Sequence, residues 1–358
     1  MQFAPIEKAV PDRGSGRVAS VKTVAVQGLK LLAAVGVIVY LVERGDIAWE
    51  PLRASLSRWE HTLPAFLLLA LMPLVQFWRW QSLLRASHLH LPHREVFSFL
   101  MVSKFFNMAF PGYISGDILR GFYVSRRAAG SRETGQTTSE PHSGAGTPVV
   151  VASIVLDRIA GLIPLFALCL IGLLGSRSDS IPRQVMVSVG TLATIGLVAP
   201  LLLFVLTYRK PQLPAVLVWV VRWPRVESFF SALYEGAHRY ARNLKLIRNI
   251  LAISFLNQGL AISSFILFGW ALQLEIPVMT YLMLVPLGLL VTAIPVSPAG
   301  LGVGQVAFLA LFHLAGTSQG ANLFTLYMAS YVVINLAGAF LYLFPRLEAI
   351  PSAPVSKE

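Results

Sequence analysis

Asp117 and Arg120 lie three residues apart in AFPGYISGDILRG (109–121), and Asp157 and Arg158 are neighbours in SIVLDRIAGL (153–162). On a helix, positions i and i+3 share a face, so Asp117 and Arg120 are placed to form a local ion pair. Apart from each other, the guanidinium suits a phosphate and the carboxylate suits a cationic headgroup. Adjacent helical residues point in different directions, so Asp157 and Arg158 need not pair together. Arg158 has two courses open to it: snorkelling toward an interface, or a structural pair with Asp117. Asp117 and Asp157 are also the two deep carboxylates available for carrying protons.

These charges stand in an apolar chain. Hydrophobic residues make up 55% of 358 positions and charged residues 13%, and the mean hydropathy is +0.67. Soluble domains carry about 25% charged residues, so the reading is an all-α, polytopic integral membrane protein. Charges inside such a protein are functional by default. About six full transmembrane helices are expected, at roughly Val24–Val42, Leu63–Leu84, Val149–Leu174, Val185–Thr207, Ile250–Leu272 and Ala321–Phe344. Each approaches the roughly 20 residues that cross the hydrocarbon. The single cysteine, Cys169, rules out a disulfide within the chain and a cysteine-based metal site. The first apolar run has no small-residue cleavage site after it and is read as a retained helix.

Two further apolar stretches, Glu95–Arg127 and Val278–Ala315, are broken. The first carries Pro111, Gly112 and Gly116; the second, TAIPVSPAGLGVGQVAF (292–308), carries Pro295, Pro298, Gly300, Gly302 and Gly304. A continuous helix tolerates neither set. Irregular backbone at membrane depth has to be buried in protein or line a wet cavity. Two breaks at corresponding places in two halves of a chain are the pattern of inverted repeats with a site between them. The helix resuming after each break, near Gly116 and near Val303, offers free N–H groups to an anion.

Taking both breaks as re-entrant puts both termini on one side. That side holds 22 Lys and Arg residues against 5 on the other, which predicts cytoplasmic termini. The net charge of +12 is thereby a loop bias, and no nucleic-acid partner is implied. The expected layout is a cytoplasmic N-tail (1–23), a transmembrane domain (24–345) and a cytoplasmic C-tail (346–358). Within the domain, 128–148 reads as a flexible loop and 208–248 as a cytoplasmic surface segment. In that segment the spacing of Val226, Phe229, Phe230, Leu233, Ala237, Tyr240, Leu244 and Ile247 predicts an amphipathic helix.

FNMAFPGYISGDILRGFYV resembles the first signature of the lysylphosphatidylglycerol synthase transmembrane-region family: an Asn, a Pro-Gly pair, then Gly-acidic-x-x-Arg. IPVSPAGLGVGQVAF resembles its second, Pro-x-Ser-x-x-Gly-x-Gly-x-x-Glu, and SIVLDRIAGL resembles a third, acidic-Arg. The likeness covers about residues 20–345. It implies a flippase-like protein handling envelope lipids, and it carries site roles to Asn107, Pro111, Gly112, Gly116, Asp117, Arg120, Pro295, Ser297, Gly300 and Gly302. Gln305 stands where the family has an acidic residue, which weakens a mechanism needing a carboxylate there. These 358 residues contain no aminoacyl-transferase domain, so lysine transfer is not implied.

The resulting expectation is a transporter of an amphiphilic envelope lipid (phospholipid, glycolipid or isoprenoid type) in a bacterial inner membrane. Its headgroup would sit in a central cavity, against Asp117, Arg120, Asp157, Arg158 and the backbone of Ser297–Gly304. Membrane lipids are the expected partners, and no cofactor is called for. There is no P-loop pattern, so transport would run down a gradient or be ion-coupled. The alternatives are a membrane-embedded lipid-headgroup enzyme, for which no nucleophile or metal constellation is recognised, and an accessory subunit docking an envelope-lipid synthase. His88, His90 and His93 in HLHLPH read as an interfacial loop rather than a metal site.

Overall fold

The computed structural model describes residues 39, 43, 49–87, 89, 91–109, 115–133, 146–176, 181–209, 234, 238, 240–294 and 296–343. The apolar runs become helices because an α-helix alone pairs every backbone group within one segment, as a lipid environment requires. In chain order they are α1 (Trp49–Ser57), α2 (Trp59–Ala86), α3 (His93–Ala109), α4 (Ser115–Glu133), α5 (Gly146–Gly175), α6 (Arg183–Arg209), α7 (Leu244–Ala271), α8 (Val278–Thr292), α9 (Val303–His313) and α10 (Gly320–Leu343). Five of them, α2, α5, α6, α7 and α10, are long and apolar enough to span a membrane. They correspond to five of the six expected spans. The remaining one, Val24–Val42, lies outside the described residues apart from Val39.

α2 and α7 form the central seam. Arg58 Nη1 donates to the Ala271 carbonyl (2.6 Å), Gln76 Nε2 to Asn257 Oδ1 (3.1 Å) and Arg79 Nη1 to Ser254 Oγ (3.1 Å). The numbers rise on one helix as they fall on the other, so the two run antiparallel.

Each broken stretch folds into a helical hairpin. In α3–α4, Phe99 stacks on Tyr123 at 5.2 Å and Asn107 Oδ1 accepts from Gly116 N at 2.9 Å. A Cβ at Gly116 would overlap the Ser103 carbonyl, so the close approach of the two legs depends on that glycine. Residues 110–114, which include Pro111 and Gly112, lie outside the described residues, as does Pro295. In α8–α9, Tyr281 meets Phe312 at 5.6 Å, and a Cβ at Gly288 would run into the Phe308 ring. α9 has 11 residues, about 16 Å at 1.5 Å per residue, well short of roughly 30 Å of hydrocarbon. The apolar part of α4, Ser115–Ser125, is equally short before Arg126 and Arg127 follow. Both hairpins thus pair a helix with a short returning apolar leg, as a re-entrant element would.

Packing repeats between the halves. α5 crosses α8 where Gly172 lies against the backbone of Met279–Met283, and α10 crosses α3 where Gly338 lies against the Met101 carbonyl. α2, α3, α4 and α5 thus correspond to α7, α8, α9 and α10. α6 falls between the two units, packs on α5 and buries only Val189, Ala193 and Thr207. A single crossing between two such units inverts the second relative to the first.

Two expected boundaries change. The loop placed at 128–148 is shorter, because α4 continues to Glu133 and α5 begins at Gly146; the Ala- and Arg-containing sequence past the membrane still favours helix. The amphipathic helix expected through 226–247 stops at Arg242–Asn243. There Asn243 Oδ1 accepts from Leu246 N (3.0 Å) and caps α7, so Leu244 and Ile247 belong to the spanning helix. Most of 208–248, and both tails, lie outside the described residues.

Candidate functional site

Short polar side chains along α2 and α7 build the floor of the site. On α7, Ser254 and Asn257 are one turn apart; on α2, Gln76 and Arg79 match them across the seam. Arg79 is buried, with 7% of its surface exposed. It lies in FWRW (77–80), the aromatic and basic composition of an interfacial anchor, yet its partners are internal. Arg79 Nε donates to Asp157 Oδ1 of α5 at 2.7 Å, and the Ser254 contact holds the other end of the guanidinium.

α4 brings the second arginine. The break before Ser115 starts that helix deep in the protein, so Asp117 and Arg120 fall in its first two turns. Arg120 reaches Asp157 Oδ2 at 3.3 Å and Asp117 Oδ1 at 3.2 Å, and its guanidinium lies 4.8 Å from the centre of the Trp80 ring. Asp157 thus bridges two arginines from two helices. Arg158 turns away from Asp157 and meets Asp117 Oδ2 at 2.6 Å, as the direction of adjacent helical residues requires. Of the two courses open to Arg158, the structure takes the pair. Its side chain is also 49% exposed, so the chain of ion pairs runs from a buried end at Arg79 to an open end at Arg158.

Lys104 of α3 completes the cluster. Its Nζ donates to Gln76 Oε1 at 2.8 Å and lies 5.8 Å from the centre of the Tyr331 ring of α10. No carboxylate among the described residues pairs with it. Sequence reasoning passed over Arg79, Lys104, Gln76, Trp80, Ser254 and Asn257. The available signal was polar residues at helical spacing inside apolar runs: Gln76 and Arg79 in one, Ser254 and Asn257 in another.

Asn107 is buried and holds the N–H of Gly116, bracing the turn into α4 rather than joining the ion pairs. The second break sits in different surroundings. Ala299, Gly300 and Gly302 have positive φ (51°, 73° and 77°). Gln305 Oε1 accepts from the Gly302 N–H at 2.8 Å, which satisfies a donor at the start of α9. Ser297 Oγ is buried without a hydrogen-bond partner. A Cβ at Gly304 would overlap the Phe324 ring. Around this break the core is aromatic: Phe265 stacks on Phe308 at 5.0 Å and on Tyr327 at 4.5 Å, and Phe308 meets Phe324 at 4.9 Å.

The two environments occupy matching positions. Arg120 is the sixth residue of α4 and Phe308 the sixth of α9. Arg79 falls at the place of Ser264, beside Phe265, in helices of equal length, 28 residues each. With Gly172 and Gly338 in register, Arg158 corresponds to Phe324. One half carries ions where the other carries rings. His93 of the HLHLPH stretch opens α3 and its Nε2 lies 2.8 Å from Arg85 Nη2; His88 and His90 are outside the described residues.

A family model described as Lysylphosphatidylglycerol synthase TM region matches residues 27–338, most of the chain. No curated protein and no solved structure matches it.

Proposed function

The chain belongs to the lysylphosphatidylglycerol synthase transmembrane-region family, an integral membrane family with a lipid-related role, and from this we propose that it transports an amphiphilic envelope lipid across the bacterial inner membrane. The observation that carries the reading is the ion chain at the tip of the first hairpin. It is buried at Arg79, Arg120 and Asp157 and exposed at Arg158. An isolated charge in hydrocarbon is costly, and removing one partner from a buried pair costs about 3–5 kcal/mol. A chain in which each cation touches one or two carboxylates can exchange an internal partner for a headgroup without leaving a charge bare. Arg158 is where a headgroup would first engage, with Asp117 released to a cationic group or to Arg120.

On this reading Asn107 and Gly116 brace the start of the helix that presents Asp117 and Arg120. Ser297, Gly300, Gly302, Gly304 and Gln305 shape the second break. Cytoplasmic termini fit the distribution of basic residues. Arg79, Lys104 and Arg120 now belong to the cluster rather than to loops, and taking them from the 22 on that side leaves 19 against 5.

Reconstitution in vesicles with headgroup-labelled lipids tests the proposal. Wild-type protein should move labelled lipid between leaflets with its headgroup intact, and Asp117→Asn/Arg120→Gln should abolish the movement. That double change removes one charge of each sign and keeps the Arg79–Asp157 pair. Headgroup turnover in place of movement would point to an enzyme, and equal transport by the double variant would remove these two residues from the mechanism.

A further inference from the structure

The cluster does not balance. Arg79, Arg120 and Lys104 face Asp157 and Asp117, and Asp117 is shared with Arg158, so positive charge is in excess around Lys104 among the described residues. Lys104 is half-buried and held by a neutral amide and an aromatic face. An ammonium has three donors, and one of them goes to Gln76.

The side chains that receive Lys104 and Arg120 share one face of α2. Gln76, which binds Lys104, and Trp80, on which Arg120 lies, are four residues apart, so they are neighbours on the helix surface, with about 5–6 Å between their Cβ atoms. One more donor belongs to this face of α2. Arg120 Nε is ion-paired with Asp117 Oδ1, but among the described residues the fully buried Trp80 Nε1 has no hydrogen-bond acceptor. Buried donors are ordinarily satisfied. Several donors and surplus positive charge gathered on one helix face match an oxyanion with several acceptor atoms, as a phosphate provides.

We propose that Lys104 and Arg120 form a phosphate site over the Gln76–Trp80 face of α2, which makes the transported amphiphile a net-negative phospholipid rather than a zwitterionic one. This rests on the transport reading for the lipid, while the site itself rests on the charge imbalance, on Lys104 held by a neutral amide, and on the unpaired Trp80 Nε1. Arg158 is the outer contact and Lys104 the inner one. A headgroup passing from one to the other exchanges an ion pair on the exposed edge for a cation that has no carboxylate paired to it among the described residues.

The test uses the full chain in detergent and isothermal titration with three probes: dioctanoyl phosphatidate, dioctanoyl phosphatidylcholine with the same chains, and inorganic phosphate. Wild-type protein should prefer phosphatidate to phosphatidylcholine by at least about tenfold. Lys104→Gln, which keeps a hydrogen bond to Gln76 within reach, should lose about tenfold in phosphatidate affinity and clearly less for phosphatidylcholine, whose singly charged phosphate has its own ammonium beside it. Lys104→Arg should retain the preference and shows that a loss in Lys104→Gln is one of charge and not of folding. If wild type binds both lipids alike and Lys104→Gln changes neither, the phosphate site is overturned and the transport reading survives. If inorganic phosphate binds as tightly as phosphatidate and in a Lys104-dependent way, the site stands and the lipid assignment falls. If none of the three probes binds to wild type, both fall.

Discussion

Asp157 is the residue on which the cluster turns, because it bridges the two buried arginines, Arg79 of α2 and Arg120 of α4, at 2.7 Å and 3.3 Å. Asp157→Asn leaves the buried Arg79 with a neutral partner and Arg120 with Asp117 alone, which should destabilise the protein by about 3–5 kcal/mol. Arg158→Gln acts at the exposed end, and Asp117 keeps Arg120, so its effect on stability should stay under about 1 kcal/mol. Thermal unfolding of both variants in one detergent separates them: a large drop in midpoint for Asp157→Asn beside a small one for Arg158→Gln. Equal drops would mean that exposure does not grade the cluster as described. The same two residues should rank oppositely in transport relative to fold, with Arg158→Gln impairing lipid movement in protein that remains folded. Asp117 and Arg120 were legible in the sequence as a helical i, i+3 pair. Arg79 was not, because a basic residue beside two tryptophans near the end of an apolar run carries the same signature as an interfacial anchor.

At the level of elements, the close crossings depend on glycine. Gly172 admits the backbone of α8 against α5, and Gly338 admits that of α3 against α10. A side chain at either position meets main chain, which cannot rotate aside. Gly172→Leu and Gly338→Leu should each destabilise by about 1–3 kcal/mol or more, seen as lost monodispersity and a lower unfolding midpoint. Gly259 of α7 is the control, since a Cβ there has nothing within 4 Å. Gly259→Ala should leave the midpoint unchanged or raise it, because alanine is the better helix former. A Gly259→Ala loss as large as the other two would show that the crossings are not what the glycines serve. The helices themselves follow from apolar run length, and the hairpins follow from the prolines and glycines that break the runs. The end of the surface segment was harder to place: its 3.6-residue spacing continues through Asn243, whose side chain nevertheless caps α7 and starts a new helix.

For the molecule as a whole, the two hairpins should open to opposite faces of the membrane. Glu275 and Ser318 flank α8–α9, and Arg94 lies at the start of α3. With Cys169→Ala removing the one native cysteine, single cysteines at 275 and 318 should react with an impermeant maleimide from one face of sealed vesicles. A cysteine at position 94 should react from the other. Labelling of 275 and 318 from different faces would mean that α8–α9 crosses fully. The halves share an architecture but not a chemistry, because Arg120 is matched by Phe308 and Arg158 by Phe324. A stack of rings tightly packed on Phe265 has little reason to open to water, whereas ion pairs tolerate it. Movement in transport is thus expected at the first hairpin, against a second that stays packed.

The sequence by itself determined the class, the number of broken helices and their place in two halves. These depend on local composition and on run length, which the bilayer converts directly into helices and breaks. It also marked Asp117, Arg120, Asp157 and Arg158, since a charge in an apolar run stands out without any knowledge of its neighbours. Only the tertiary structure decided who pairs with whom. Asp157 could not be matched to Arg79, 78 positions earlier, because that contact depends on how α2, α4, α5 and α7 are rotated about their axes. The same rotations set Lys104 against Gln76, with no carboxylate among the described residues paired to it, and left the second break among aromatic rings.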